Sequence, residues 1–352
     1  MSIMVHQRPG VYSTYDASAV VSGRGAGRLV GLAAVNTAAS PGEVQIVTSY
    51  DRAVALFGSS GPEDMAELIR LALKNGASGV AAVAVSGAED YEEAFALLAG
   101  VEDIALVICD STDPEVQKEM RDSVIEASER RRERLCVAAG AKNEDVTALI
   151  ARAKALNHER VVLVAPGAVS PAGDPISGLA LAAAVAGAVA GESDPAIPLG
   201  GAELSGLNGL STRLEDNDID LLVLGGVTPV ESLGGTVSVV RGVTTRTISG
   251  GVEDTAWRDL SAIRVVDDVI PGLRSALRTK FRRAKNTEQS RGAIRAQVVL
   301  ELENKLAREI ITGYDGVAVQ ADSEDPTRCL VDFSFAVAHG LNQIWLTAHI
   351  TV

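Results

Sequence analysis

The sequence predicts an α/β protein: a mostly parallel sheet core domain with helices on both faces, then a C-terminal α+β domain, with extended arms at both ends. Three observations carry this reading. Short apolar runs alternate with amphipathic segments of helical length from Arg28 to about residue 166. The punctuation changes to Pro, Gly and Asn between Ser193 and Gly250, and changes again after Trp257. The first 22 residues build no core, because they are polar, aperiodic and interrupted by Pro9 and Gly10.

Taken in order, RLVGLAAV and VQIVTS read as opening strands, followed by helix signals at Asp51 to Phe57 and Pro62 to Lys74. GVAAVAV (79–85), DIALVICDS (103–111), RLCVAAG (134–140) and RVVLVAP (160–166) read as buried strands, separated by helices from about Asp90, Asp113 and Glu144. Apolar strands alternating with helices imply a parallel sheet covered on both faces. Ile176 to Ala190 is apolar throughout, yet too short and too rich in Ala and Gly for a membrane span, so it reads as a buried helix. DLLVLGG and GTVSVVRGVTTRTIS read as short strands at the margin of the same domain. Further on, IRVVDD leads into a helix expected from about Asp268, and a second helix is expected from about Thr287 to Ile311. YDGVAVQ, RCLVDFSFAVAH and NQIWLTAHITV then read as three strands. The resulting division is an arm (1–22), an α/β core domain (23–247), a C-terminal α+β domain (248–340) and a terminal strand (341–352).

Composition narrows the function. Of 352 residues, 32 are basic and 46 acidic, a net charge of -14, which opposes the basic surface of a nucleic-acid binder. Cys109, Cys136 and Cys329 have no CxxC spacing, so neither a disulfide scaffold nor a zinc ribbon is expected. The N-terminal MSIMVHQRPGVYSTY lacks the charged start and apolar stretch of a secretory signal.

No residue pattern points to catalysis, a cofactor or a metal. SGRGAGR (22–28) lacks the P-loop Lys and carries Arg28 where GxGxxG needs its third glycine, so it reads as a hinge. His6, His158, His339 and His349 show no metal spacing; His339 and His349 read as a pair on neighbouring strands. The acids of ESD (192–194) and LEDNDID (214–220) lack a calcium-loop spacing and read as solvated loop.

Two features remain. Arg274, Arg278, Arg282 and Lys285 fall on one helical stripe beside Ile270, Leu273, Leu277 and Phe281, in a segment without acids. That ridge is either a solvated face near a helix C-terminus or a docking ridge for an acidic partner. Ile344, Leu346, Ala348, Ile350 and Val352 alternate with Trp345, Thr347, His349 and Thr351 up to the last residue. An apolar strand of this kind requires pairing, within its own subunit or on the sheet edge of a neighbour.

These residues carry a resemblance to a known family. RPGVY (8–12), GLAAV with VQIVTSYDRAVALFG (44–58), LIRLALKNGASGVAAVAV (68–85), PISGLALAAAVAG (175–187), TAWRDLSAIRVVDDVIPGLRSAL (255–277) and the terminal strand resemble, in order and spacing, the tail sheath proteins of contractile phage tails and related contractile injection systems. The chain lacks room for the outward insertion domains of larger sheaths. The resemblance implies a non-enzymatic structural subunit, with no cofactor, that polymerises helically around an inner tail tube and contracts to drive the tube through a target envelope. Neighbouring subunits, the inner tube protein, baseplate and tail terminator proteins are the implied partners, in a virion tail sheath assembled in the host bacterial cytoplasm, without nucleic-acid contact or membrane insertion. Pro9, Gly10, Val11 and Tyr12 would form the subunit-linking arm, Ile344, Trp345, Leu346, Ile350 and Val352 the linking strand, and Arg274, Arg278, Arg282 and Lys285 a tube-facing ridge. The alternative is an α/β enzyme binding a nucleotide or small metabolite at the carboxyl ends of its parallel strands.

Overall fold

The computed structural model of the chain describes residues 29–348. Two compact units emerge among them, one formed by residues 29–263 with 339–348 and the other by residues 264–338.

The first unit is a layered sheet. Its elements are β1 (Leu29–Val35), β2 (Val44–Val47), α1 (Tyr50–Phe57), α2 (Met65–Lys74), β3 (Gly79–Val85), α3 (Tyr91–Gly100), β4 (Ile104–Cys109), α4 (Pro114–Glu129), β5 (Leu135–Ala139), α5 (Val146–Leu156), β6 (Val161–Ala165), α6 (Leu179–Gly191), α7 (Asp216–Leu224), β7 (Thr228–Leu233) and β8 (Thr236–Val239). The eight strands lie in the order β2-β3-β1-β4-β5-β6-β7-β8. The six central strands run parallel, and β2 and β8 close the edges antiparallel. Every residue of β3, β4, β5 and β6 is buried. Full burial explains why these strands are continuously apolar: helices cover both faces, so neither face needs polar residues.

Local chemistry starts the helices where the sheet needs them. Asp64, Asp113 and Asp145 accept hydrogen bonds from the N–H groups of Glu67, Glu115 and Ala148, each at 2.8 Å, and so satisfy donors left open by the first helical turn. Pro114 occupies the first turn of α4, where its missing N–H costs nothing. On one face Tyr91, Phe95, Leu98, Met120, Val124 and Leu149 join Val83, Val107 and Leu163 in a single core cluster. On the opposite face α6 packs against α2, β4 and β5. This helix has no polar side and is buried throughout except at Ala188 and Gly191.

Three segments differ from the sequence reading. DLLVLGG is the end of helix α7 and not a strand. Short apolar runs leave strand and helix unresolved, and Asp216 and Asp218 in the first turn favour the helix through its dipole. Of GTVSVVRGVTTRTIS, only β8 and the two-residue β9 (Ile248–Ser249) are strand, the latter paired with β10 (Val252–Glu253). IRVVDD is already helical, because α8 runs from Leu260 to Phe281. Its Val266, Val269, Ile270 and Leu273 are buried at three- and four-residue spacing, a period that the adjacent Val265 and Val266 obscured.

The second unit holds most of α8, then α9 (Glu288–Ala307) and a hairpin of β11 (Ile311–Ala321) and β12 (Cys329–Val337). Lys305 on α9 pairs with Asp268 on α8, and Lys280 hydrogen-bonds Gln297. Arg295 Nε donates to the Val317 carbonyl at 2.9 Å, and Asn286 Nδ2 to the Pro326 carbonyl at 2.8 Å. These bonds tie α9 and the interhelical loop to the hairpin.

Candidate assembly surface

Strand β12 of the β11–β12 hairpin is built by period-two patterning. Along CLVDFSFAV, Cys329, Val331, Phe333, Phe335 and Val337 are half-buried, while Leu330, Asp332, Ser334 and Ala336 face solvent. The Phe333 and Phe335 rings lie 6.4 Å apart on the inner side. The register runs from Ile311 opposite Val337 to Ala321 opposite Cys329, with irregularities at Ile311/Gly313 and Asp315/Ala318. Gly316 sits in the second irregularity at φ +68, a left-handed conformation that glycine adopts without strain.

Two properties mark this hairpin as unfinished. Its sheet has two strands, so among the described residues neither outer edge has a partner. The inward side chains are only half-buried, so the apolar layer against α9 is incompletely covered. A sheet of two strands is marginal by itself, and an open edge is a template for a further strand.

The segment that follows the hairpin matches that opening chemically. Residues 338–348 form no regular element, and Leu341, Ile344, Trp345 and Leu346 are 75%, 81%, 90% and 90% exposed. The expected terminal strand is thus not formed within the described part of the subunit. Ile350 and Val352, with His349, lie outside the described residues, as do the arm residues Pro9, Gly10, Val11 and Tyr12, His6 and the SGRGAGR loop.

The basic residues are divided. Arg274 is half-buried and Arg278 exposed on α8, whereas Arg282 and Lys285, both exposed, follow the end of the helix at Phe281. Ile270 and Leu273 are buried, and Leu277 and Phe281 are half-buried.

The carboxyl ends of the parallel strands are where this architecture receives small molecules. A depression of about 200 Å³ between α4 and α5 is lined by Pro114, Gln117, Lys118, Glu144, Ala148 and Arg152 among others. Arg152 is already committed: Nε lies 3.1 Å from both Glu144 carboxylate oxygens, and Nη1 donates to the Thr112 carbonyl at 2.7 Å. Lys118 pairs with Glu115 at 2.7 Å. Near the same end, Asp110 accepts from Tyr91 and from the Val35 N–H at 2.8 Å, and burial pushes its carboxyl above the usual range. Burial also pushes the Cys109 thiol up to about 12 and lowers the Arg134 guanidinium to about 10. Arg134 spends its donors on the Leu98 and Val101 carbonyls at the end of α3. His158 Nδ1 accepts from the Arg160 N–H at 3.1 Å. Among the described residues no group of three or more His, Cys, Asp or Glu is placed to hold a metal ion, and no helix is long and apolar enough to cross a membrane.

Comparison with known families decides what the open hairpin belongs to. Residues 84–245 match the phage tail sheath protein central domain, and residues 252–351 match the phage tail sheath C-terminal domain. The chain belongs to the tail sheath protein family. Its sheath fold recurs in solved structures. The anti-feeding prophage helical sheath in its contracted state is 18% identical with a TM-score of 0.74, over 98% of this chain and 99% of that one. The PVC sheath complex of an extracellular contractile injection system, also contracted, is 16% identical with a TM-score of 0.71, over 99% of both chains. The sheath tail protein of Desulfitobacterium hafniense is 15% identical with a TM-score of 0.68, over 93% of this chain and all of that one. Curated protein sequences contain no match. The similarity spans the mostly parallel sheet and the C-terminal α+β part alike.

The sequence reading pairs the terminal strand within its own subunit or on the sheet edge of a neighbour, and does not name the strands that supply that edge. The signal was present in the alternation of CLVDFSFAV, but alternation reports which face is buried and not whether an edge is occupied.

Proposed function

We infer that this chain is a structural subunit of a contractile sheath, polymerising helically around an inner tail tube and contracting to drive that tube through a target cell envelope. The observation that carries the reading is the two-stranded β11–β12 sheet, whose outer edges have no partner among the described residues, in a chain whose matched families are both tail sheath domains. The arm at Pro9 to Tyr12 and the strand at Ile344, Trp345, Leu346, Ile350 and Val352 complete that sheet in neighbouring subunits. Backbone pairing of this kind tethers subunits while letting them rotate and shift. Proline at position 9 suits a segment that enters a sheet only beyond it. The basic residues Arg274, Arg278, Arg282 and Lys285 face an acidic tube surface before contraction, in a contact weak enough to release. Contraction relaxes a metastable lattice, with no nucleotide consumed. Inner tube, baseplate and terminator proteins are the partners, in a virion tail sheath assembled in the host bacterial cytoplasm.

Electron microscopy of the purified chain, with and without its tube protein, tests this reading: rings or tubes support it, and monodisperse particles in both cases overturn it. Removing residues 1–15, or the last nine, leaves a folded subunit by circular dichroism that no longer forms tubes. Ordinary tubes from both truncated forms would show that the ends are not the links. Magnesium-dependent ATP turnover abolished by a point mutation in the chain would contradict a purely structural role.

A further inference from the structure

Helix α7 presents to solvent a stripe that the subunit leaves uncovered. Asn217, Asp220, Leu221 and Leu224 recur at three- and four-residue spacing and are all exposed. Leu221 and Leu224 keep 44% and 57% of their surface accessible, and Leu222 is the one residue of the helix that is buried. The chain just past this helix runs against a second element. A Cβ on Gly226 would lie 3.0 Å from Thr247 Cγ2 and 3.1 Å from the Thr244 carbonyl oxygen. Ile248 follows Thr247 directly and is clamped by Asn157, whose Oδ1 accepts from the N–H groups of Thr247 and Ile248 while its Nδ2 donates to the Ile248 carbonyl at 2.9 Å. The β9–β10 hairpin that starts there leaves Ile248 40% and Val252 70% exposed. Two adjoining elements of one unit therefore hold leucine, isoleucine and valine side chains in water, with exposed Glu215 at the N-cap of α7 and exposed Asp216 and Asp220 on the helix.

An apolar patch with an acidic border fits an apolar partner with a basic one. We propose that this patch is a docking surface for a second copy of the chain, and that it receives the end of α8 and the turn beyond it, residues 277–285. That segment has the complementary make-up: half-buried Leu277 and Phe281, exposed Arg278, Arg282, Arg283 and Lys285, and no acid between Asp268 and Glu288. The acidic side has no base from Glu215 to Asp220. With a net charge of -14, two copies repel each other unless a basic surface meets an acidic one, and this segment is where such a surface is concentrated. Because the two patches differ, the contact is heterologous and propagates from copy to copy, into a ring or an open helix, instead of closing as a two-fold dimer. The inference rests on the sheath reading. The same cations are assigned there to the tube, so the two contacts exclude each other, and the neighbour contact belongs to sheath that is free of its tube.

The test uses the full chain alone, by sedimentation velocity and negative-stain microscopy. Asp216→Lys with Asp220→Lys, and separately Arg278→Glu with Arg282→Glu, each raise the concentration needed for polymerisation by about tenfold or more, as juxtaposed like charges require. Combining all four substitutions restores it to near the wild-type value. Polymers of the Asp216→Lys, Asp220→Lys chain that match wild type, or a fourfold variant as poor as its parents, overturn the docking surface while leaving the sheath reading intact. Wild-type chain that forms no ordered polymer with or without tube protein overturns both. Should a charge-reversed chain lose its fold, a chain carrying Leu224→Cys and Arg278→Cys decides by bismaleimide cross-linking. A ladder of multimers that needs both cysteines supports the contact, and its absence refutes it.

Discussion

Gly187 on α6 lies over the Ala72 carbonyl of α2 so closely that a Cβ there would stand 2.3 Å from the oxygen. Helix backbones pack this tightly only where one side chain is missing, and Gly191 repeats the arrangement one turn later, with its Cβ position 2.8 Å from Gly76 Cα. Alanine at 187 would gain about 1 kcal/mol of helix propensity but would force a fully buried backbone apart. Overpacking of this kind costs about 1–3 kcal/mol or more, so Gly187→Ala lowers the thermal midpoint. Gly100→Ala, where a Cβ meets nothing within 4 Å, should raise stability by up to about 1 kcal/mol. Equal melting of the two variants would refute the close approach.

Asp110 and Tyr91 set a pH dependence. The carboxyl is raised above its ordinary value, chiefly by burial. A raised carboxyl is protonated alike in both states below its unfolded pKa of about 3.9. As pH climbs through the folded value, the unfolded chain ionises freely while the folded one must ionise a buried group, so stability is lost. Urea titrations at acid and neutral pH should therefore show Asp110→Asn gaining on wild type as pH rises. Parallel pH profiles would contradict the burial argument. Tyr91→Phe removes the hydroxyl that hydrogen-bonds the Asp110 carboxyl and costs about 1–3 kcal/mol.

The Asp268–Lys305 pair joins α8 to α9 with side chains only 16% and 13% exposed. Lys305→Met strands the carboxylate, at a cost of about 2 kcal/mol, between the values for exposed and fully buried pairs. Asp268→Leu combined with Lys305→Met should lie closer to wild type than either single change. Additive losses in a double-mutant cycle would show that the two residues act independently.

Trp345 is 90% exposed, whereas Trp257 is 6% exposed. In the free subunit the fluorescence should have a water-exposed component that acrylamide quenches. Assembly into tubes should blue-shift and protect that component, and Trp345→Phe should abolish the change. A shift that persists in Trp345→Phe would place the buried indole elsewhere.

How much of this was legible in the sequence varied with the kind of signal. Strands β3 to β6 were readable because burial on both faces demands unbroken apolar runs, and α4 was readable from about Asp113, where the structure places its N-cap. Helix α7 was not, because LLVL is too short to show a period. The start of α8 was missed because consecutive valines hide three- and four-residue spacing. At the candidate surface, the basic segment was legible as composition, but its division between the helix and the turn after Phe281 was not.

Sequence alone therefore determined the layered α/β class, the buried α6, the absence of a recognisable phosphate loop and the apolar character of the chain's end, since each depends on residues close together along the chain. Tertiary structure alone decided that β11 and β12 form a sheet whose outer edges have no partner among the described residues, that Gly187 and Ala72 touch, and that Leu221, Leu224, Ile248 and Val252 stay in water. Those facts depend on what lies across from a residue in space, and neither periodicity nor composition records whether a face or an edge has found its partner.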